Sequence, residues 1–90
     1  MSKAVVDPDE LRNFAQALKR FSANLSQQMN ALNGQMQSLS QTWRDQEQAK
    51  FTAEFEHTLR TLTRFTQASE QHIPFLLRKA DRVEEYLRQR

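Results

Sequence analysis

From Leu11 to Trp43 the apolar residues return every three or four positions, at Leu11, Phe14, Leu18, Phe21, Leu25, Met29, Leu32, Met36, Leu39 and Trp43. At about 100° per residue they fall within an arc of roughly 80°, a narrow stripe along one side of an α-helix. Between Phe21 and Met29 the steps change from alternating three and four to successive fours, which breaks a strict heptad and predicts a nearly straight rod. Asp7-Pro8-Asp9-Glu10 supplies the start: Asp7 as cap, Pro8 at the first helical position and Glu10 to complete a capping box. The spacing predicts a helix over about 8–41.

A second stripe follows at Phe51, Phe55, Leu59, Leu62, Phe65, Ile73, Leu76, Leu77, Val83 and Leu87, with Thr66, Ser69 and Ala80 on the same side. It covers an arc of about 120° and predicts a helix over about 46–90, opened by Asp45 as cap with Gln48 as its capping-box partner. Pro74 lacks an N–H and crowds the preceding turn, so a kink or break is expected near 74. Only about 42–45 remain for the turn, and so short a connection makes the helices antiparallel neighbours. The fold class is all-α: one helical-hairpin domain over residues 1–90.

Composition narrows the chemistry. One Gly and two Pro exclude turn-rich sandwiches, barrels and α/β sheets, and the absence of Cys excludes disulfides and thiolate metal sites. Thirteen basic against eleven acidic residues give a net charge of +2, far from the dense positive charge of a phosphate-backbone binder. Glu54-x-x-His57 has the spacing of a di-iron ligand pair, but it occurs once and off the stripe, and His72 reads as a partly buried side chain near the stripe's edge. No phosphate loop, nucleophile elbow or triad is present. No catalytic residue, metal, cofactor or small-molecule substrate is expected, and the protein reads as a non-enzyme. Met1 to Val6 reaches Asp7 before an apolar core of signal-peptide length can form, and the uncharged stretch from Phe21 to Trp43 is too rich in Ser, Asn and Gln for a membrane span.

Two rods in contact bury only one side of each stripe, so a second layer is wanted, and pairing of two hairpins into a four-helix bundle supplies it. The dimer and core seam is then Leu11, Phe14, Leu18, Phe21, Leu25, Met29, Leu32, Met36 and Leu39 with Phe51, Phe55, Leu59, Leu62 and Phe65. No charge lies between Arg20 and Arg44, so this neutral region, including Ala31, Gly34 and Gln35, reads either as contact surface or as plain solvated surface. In the basic run Arg78, Lys79, Arg82, Arg88 and Arg90, the interleaved Asp81, Glu84 and Glu85 cancel most of the field, with i,i+4 pairing a sufficient reason. This argues against nucleic acid as partner. Phe75 and Tyr86 project about 160° from the second stripe as a candidate partner surface, unless the bend at Pro74 turns Phe75 inward.

The run Leu39-Ser40-Gln41-Thr42-Trp43-Arg44-Asp45, then Ala49, Phe51, Phe55, Leu59 and Leu62, resembles the WXG family of type VII secretion, small helical hairpins with tryptophan at the turn. The resemblance covers nearly the whole chain. Trp43 and Arg44 match the Trp-x-Gly turn, and Asp45 stands where the family has glycine. Family substrates commonly carry Tyr, three residues, then Asp or Glu near the tail, whereas here Tyr86 is followed at that distance by Arg90. The resemblance implies homo- or heterodimers with a related hairpin, export without a cleaved signal peptide after a cytoplasmic stage, and a role as effector or adaptor. A secretion ATPase or a larger toxin is the further partner it suggests, with Trp43-Arg44-Asp45 as turn motif and the C-terminal helix as export or partner contact. The alternative is a cytosolic helical scaffold that binds another helical protein.

Overall fold

The computed structural model describes residues 6–89. Two helices, α1 (Pro8–Ser40) and α2 (Gln46–Arg88), account for almost all of them, and no strand occurs among the described residues. Hydrogen bonds join the helices near both ends, Arg12 to Glu84 at the open end and Gln48 to Ser40 beside the turn, so α1 and α2 run antiparallel. The result is a rod of 68 × 17 × 17 Å. Residues 1–5, which carry most of the reading against a signal peptide, lie outside the described residues, as does Arg90, which ends both the basic run and the tail spacing.

Local chemistry sets the helix starts. Asp7 accepts the Asp9 N–H at 2.9 Å with Pro8 directly after it. Asp45 accepts the N–H groups of Glu47 and Gln48 at 3.0 and 3.3 Å. Gln48 does not complete a capping box: its side-chain amide donates to Ser40 Oγ at 3.1 Å and Thr52 Oγ1 at 2.9 Å, which ties the helices together next to the turn. Two half-buried hydroxyls hold the amide nitrogen there, and no hydrogen bond joins the Gln48 side chain to the Asp45 N–H.

The contact between the helices corrects the single-stripe picture. On α1 the inward positions are Leu11, Ala15, Leu18, Ser22, Leu25, Met29 and Met36, and on α2 they are Thr52, Phe55, Leu59, Leu62, Thr66, Ser69, Ile73, Leu76, Ala80 and Val83, all buried or half-buried. On α2 these alternate steps of three and four throughout, and on α1 they do so from Leu11 to Met29, after which Leu32 stays exposed and Met36 follows at seven, so the heptad register holds once small residues are included. Ala15, Ser22, Thr66, Ser69 and Ala80 are among the most buried side chains. Small residues bring two helix backbones close, and large neighbours are then displaced sideways. Thr66 donates its hydroxyl to the Thr63 carbonyl at 2.8 Å, which satisfies one buried polar group within its own helix.

α2 is continuous through Pro74, so of the kink or break expected there the helix shows no break. Proline removes one N–H and therefore one helical hydrogen bond, while the helix on either side stays anchored to α1 through Ser69, Ile73, Leu76 and Ala80.

Two substitutions test this layout. Gly34 faces open space, with nothing within 4 Å of an added Cβ. Gly34→Ala is therefore expected to raise stability by about 0.5–1 kcal/mol. Ala80→Leu overfills the seam and is expected to lower stability by about 1–3 kcal/mol. Urea unfolding followed by circular dichroism reads both, and equal effects would contradict the assigned faces.

Candidate protein-interaction surface

The sequence stripe divides into two surfaces. Leu11, Leu18, Leu25, Met29, Met36, Phe55, Leu59 and Leu62 turn toward the opposite helix, whereas Phe14, Phe21, Leu32, Leu39, Phe51 and Phe65 stay exposed, from 41% at Phe51 to 58% at Phe14. The exposed set is ordered. Phe14 and Phe21 lie seven residues apart, as do Leu32 and Leu39, and Phe21 meets Phe65 of α2 edge-on at 5.9 Å. An aromatic flank therefore runs along one side of the rod.

The flank has relief. Toward the open end Phe14 and Phe21 form a ridge. Toward the turn, two adjoining hollows of about 360 and 190 Å³ share Leu32 and Gln35, the larger closed by Leu39, Phe51 and Phe55 and the smaller by Leu25 and Leu62. Of the neutral region, Ala31 and Gln35 line these hollows and Gly34 does not. Gln28 was not distinguishable as a lining residue from hydrophobicity alone; its place seven residues after Phe21, on the row that Gln35 continues, is the signal that finds it.

At the turn, Trp43 is half-buried. Its indole N–H donates to Asp45 Oδ1 at 2.9 Å, the oxygen that also takes the two backbone N–H groups of α2, and its ring lies 5.6 Å from Phe51, which stacks on Phe55 at 6.0 Å. Asp45 has φ −85°, ordinary extended backbone, so the turn does not use the left-handed conformation that favours glycine. A carboxylate in that place caps the helix and orients the indole at once. Arg44 donates from Nε to the Gln41 carbonyl at 3.0 Å and keeps its charge in solvent.

The opposite flank is polar. Arg12 donates to Glu84 at 2.6 Å and Asp81 at 2.9 Å, a link between the helices that hydrophobic patterning did not reveal. Its hydrogen bonds to Asp81 and then Glu84 hold the guanidinium above its ordinary value, against a small opposing effect of desolvation. A raised value for a cation means a contribution present below its ordinary range and lost only as the pH climbs beyond it, so on Arg12's account the link is insensitive to pH near neutrality. A notch of about 320 Å³ on this side is lined by Lys19, Ser22, Ser26, Glu70 and Ile73.

The C-terminal acids do not cancel the basic run as expected. Asp81 and Glu84 turn to Arg12, and Glu84 and Glu85 to Arg88, while Arg78, Lys79 and Arg82 pair with no carboxylate among the described residues. Cross-hairpin contact competes with pairing along one helix, and sequence spacing alone does not show it. Phe75 and Tyr86 are both exposed, at 54% and 58%, so Phe75 does not turn inward at Pro74. Among the described residues no three His, Asp or Glu side chains gather as a metal site, and Glu54, His57 and His72 are all exposed. No described helix is long and apolar enough to cross a membrane.

Comparison with known proteins points one way. The WXG100 family, described as proteins of 100 residues with WXG, matches residues 4–86. Solved structures of the secreted protein EsxB from Bacillus anthracis strain Sterne are similar in fold and sequence. The wild-type form is 28% identical at TM-score 0.78, covering 93% of this chain and 97% of that one. A selenomethionine form gives the same identity and TM-score over 96% and 98%. A mutant form is 29% identical at TM-score 0.77 over 94% and 98%. None of the curated proteins compared with the chain matches it.

Asp45→Ala is expected to cost about 1 kcal/mol through the lost cap and to free the indole, read as a lower urea midpoint with a shifted Trp43 emission. Because the ring is half-buried, Trp43→Ala is expected to cost roughly 2 kcal/mol, below the 3–5 kcal/mol of a fully buried ring.

Proposed function

The chain belongs to the WXG100 family, and from that premise we propose that it works without chemistry of its own, as a type VII secretion substrate or adaptor whose working form is a pair of hairpins. The observation that carries this reading is the aromatic flank. Side chains as large as Phe14, Phe21, Leu32, Leu39, Phe51 and Phe65, exposed side by side, are a contiguous apolar patch of the kind that a partner covers. The secreted character of EsxB supports export of this chain as well. Export starts from the cytoplasm and leaves no cleaved leader behind.

The relief of the flank favours a second copy laid head to tail. The α1 row along this flank is Phe14, Leu18, Phe21, Leu25, Gln28, Leu32, Gln35 and Leu39, with Leu18 and Leu25 half-buried where the flank meets the seam. Turned end over end about a point between Leu25 and Gln28, this row places Phe14 opposite the partner copy's Leu39 position and Phe21 opposite its Leu32 position. Each ridge then enters the other copy's hollow, as antiparallel helices require in alternating layers. With the turns at the same end, ridge would face ridge and hollow would face hollow.

The chain has no cysteine, so a clean cross-linking test is available. Within one hairpin, positions 14 and 39 lie about 38 Å apart along α1 at 1.5 Å per residue. A variant carrying both Phe14→Cys and Leu39→Cys is expected to give a disulfide-linked dimer on mild oxidation, with neither single variant doing so. Light-scattering mass in the same buffer reports the pair itself: a monomer at high concentration removes the paired form, and a dimer that does not cross-link removes the register. Secretion into the medium that stops when the export ATPase is deleted supports the cellular role, and retention in the cytosol of an active system rejects it in favour of a resident scaffold.

A further inference from the structure

Phe75, Arg78, Lys79, Arg82 and Tyr86 stand at i, i+3, i+4, i+7 and i+11, so their side chains leave α2 on one side, and all five are exposed. The acids of the same segment are engaged elsewhere. Arg12 holds Asp81 and Glu84 from α1, and Arg88 lies 3.7 Å from Glu84 and 3.6 Å from Glu85. What remains outward is three cations without a carboxylate partner among the described residues, set between two aromatic rings. Back along the helix the same side carries Arg64, Arg60, His57 and Lys50, all exposed. At about 100° per residue these basic positions share an arc of roughly 120°, with exposed Glu85 and Glu54 at its two borders.

We propose that this outward face of α2 binds the surface of an anionic lipid bilayer. The rod lies flat on it, with Arg78, Lys79 and Arg82 against lipid phosphates and with Phe75 and Tyr86 in the headgroup layer. Three features select this partner. The face is the outer side of one continuous helix, suited to a broad surface and not to enclosing a small anion. The cations and rings alternate on one stripe, and an interfacial layer takes both, since Arg and Lys reach up to phosphate while aromatic rings settle at the apolar boundary. A nucleic-acid duplex would take the charges and leave the rings in water. Phe75, Arg78 and Arg82 lie on the side of α2 away from α1, so covering the aromatic flank leaves them free, while Lys79 and Tyr86, fourteen and twenty-one residues after Phe65, border that flank toward the open end; in the head-to-tail pair, a detail that rests on the reading above, both copies turn the outward residues to the same side.

The test uses the whole protein and vesicles of phosphatidylcholine alone or mixed with phosphatidylglycerol in roughly a two-to-one ratio, with bound protein separated by sedimentation. Binding is expected to the mixed vesicles and not to phosphatidylcholine alone, with release at high salt. The combined variant Arg78→Gln, Lys79→Gln, Arg82→Gln is expected to bind about 10- to 100-fold more weakly. Phe75→Ser with Tyr86→Ser is also expected to weaken binding while keeping its salt dependence. Lys19→Gln with Arg20→Gln, on α1, is expected to change nothing. Helicity is checked for each variant, and if the triple variant loses it, Lys79→Gln alone, expected to weaken binding about fivefold, takes its place. Equal binding to both kinds of vesicle, no binding, or unchanged binding by the variants overturns the proposal, as does tighter binding of single- or double-stranded DNA. Mass measured in the same buffer separates this outcome from failure of the pairing: a monomer that binds the mixed vesicles keeps the proposal, and a dimer that does not bind ends it.

Discussion

Close approach of two helix backbones over small side chains is the constraint on which the rest depends. Ala15 and Ser22 on α1 and Thr66, Ser69 and Ala80 on α2 are buried where the rods come closest, with Met36 and Val83 buried toward the two ends. That closeness leaves no room for Phe14, Phe21, Phe51 and Phe65, which slide to one flank, and lets Arg12 span the gap to Asp81 and Glu84 on the other. One flank therefore becomes apolar and the other ionic. The two-sidedness follows from heptad geometry, because residues just outside the seam on facing antiparallel helices meet like with like: Phe21 beside Phe65, Arg12 beside Glu84.

The turn shows how one atom can replace a conformational requirement. Asp45 Oδ1 gathers the indole of Trp43 and two N–H groups from the first turn of α2. Glycine at such a place offers freedom of backbone, and aspartate here offers three acceptor contacts with an ordinary φ of −85°. The aromatic ladder from Trp43 through Phe51 to Phe55 is thereby held in line with the flank.

Much of this was legible in the residues. Asp7-Pro8 and Asp45 mark the helix starts through capping chemistry that acts over two or three residues, and the short turn dictates an antiparallel pair. Which large residues face inward was not legible, because hydrophobicity ranks Phe21 above Ser22 although packing distance reverses the order. The engagement of Asp81 and Glu84 by Arg12 was hidden for a similar reason: their partner lies across the hairpin, and spacing along α2 offered nearer cations. Pro74 reads as a break in one dimension and is overridden by inward neighbours on both sides that keep α2 in place.

The slenderness of the rod has a mechanical consequence. Two side-by-side helices, each about 10–12 Å across with side chains, make a profile of roughly 10–12 by 20–24 Å at its waist. An aperture of about 25 Å admits such a hairpin lengthwise while still folded, and two stacked hairpins need little more. Passage through a conduit of that bore requires no unravelling of the chain, only alignment of its long axis with the opening.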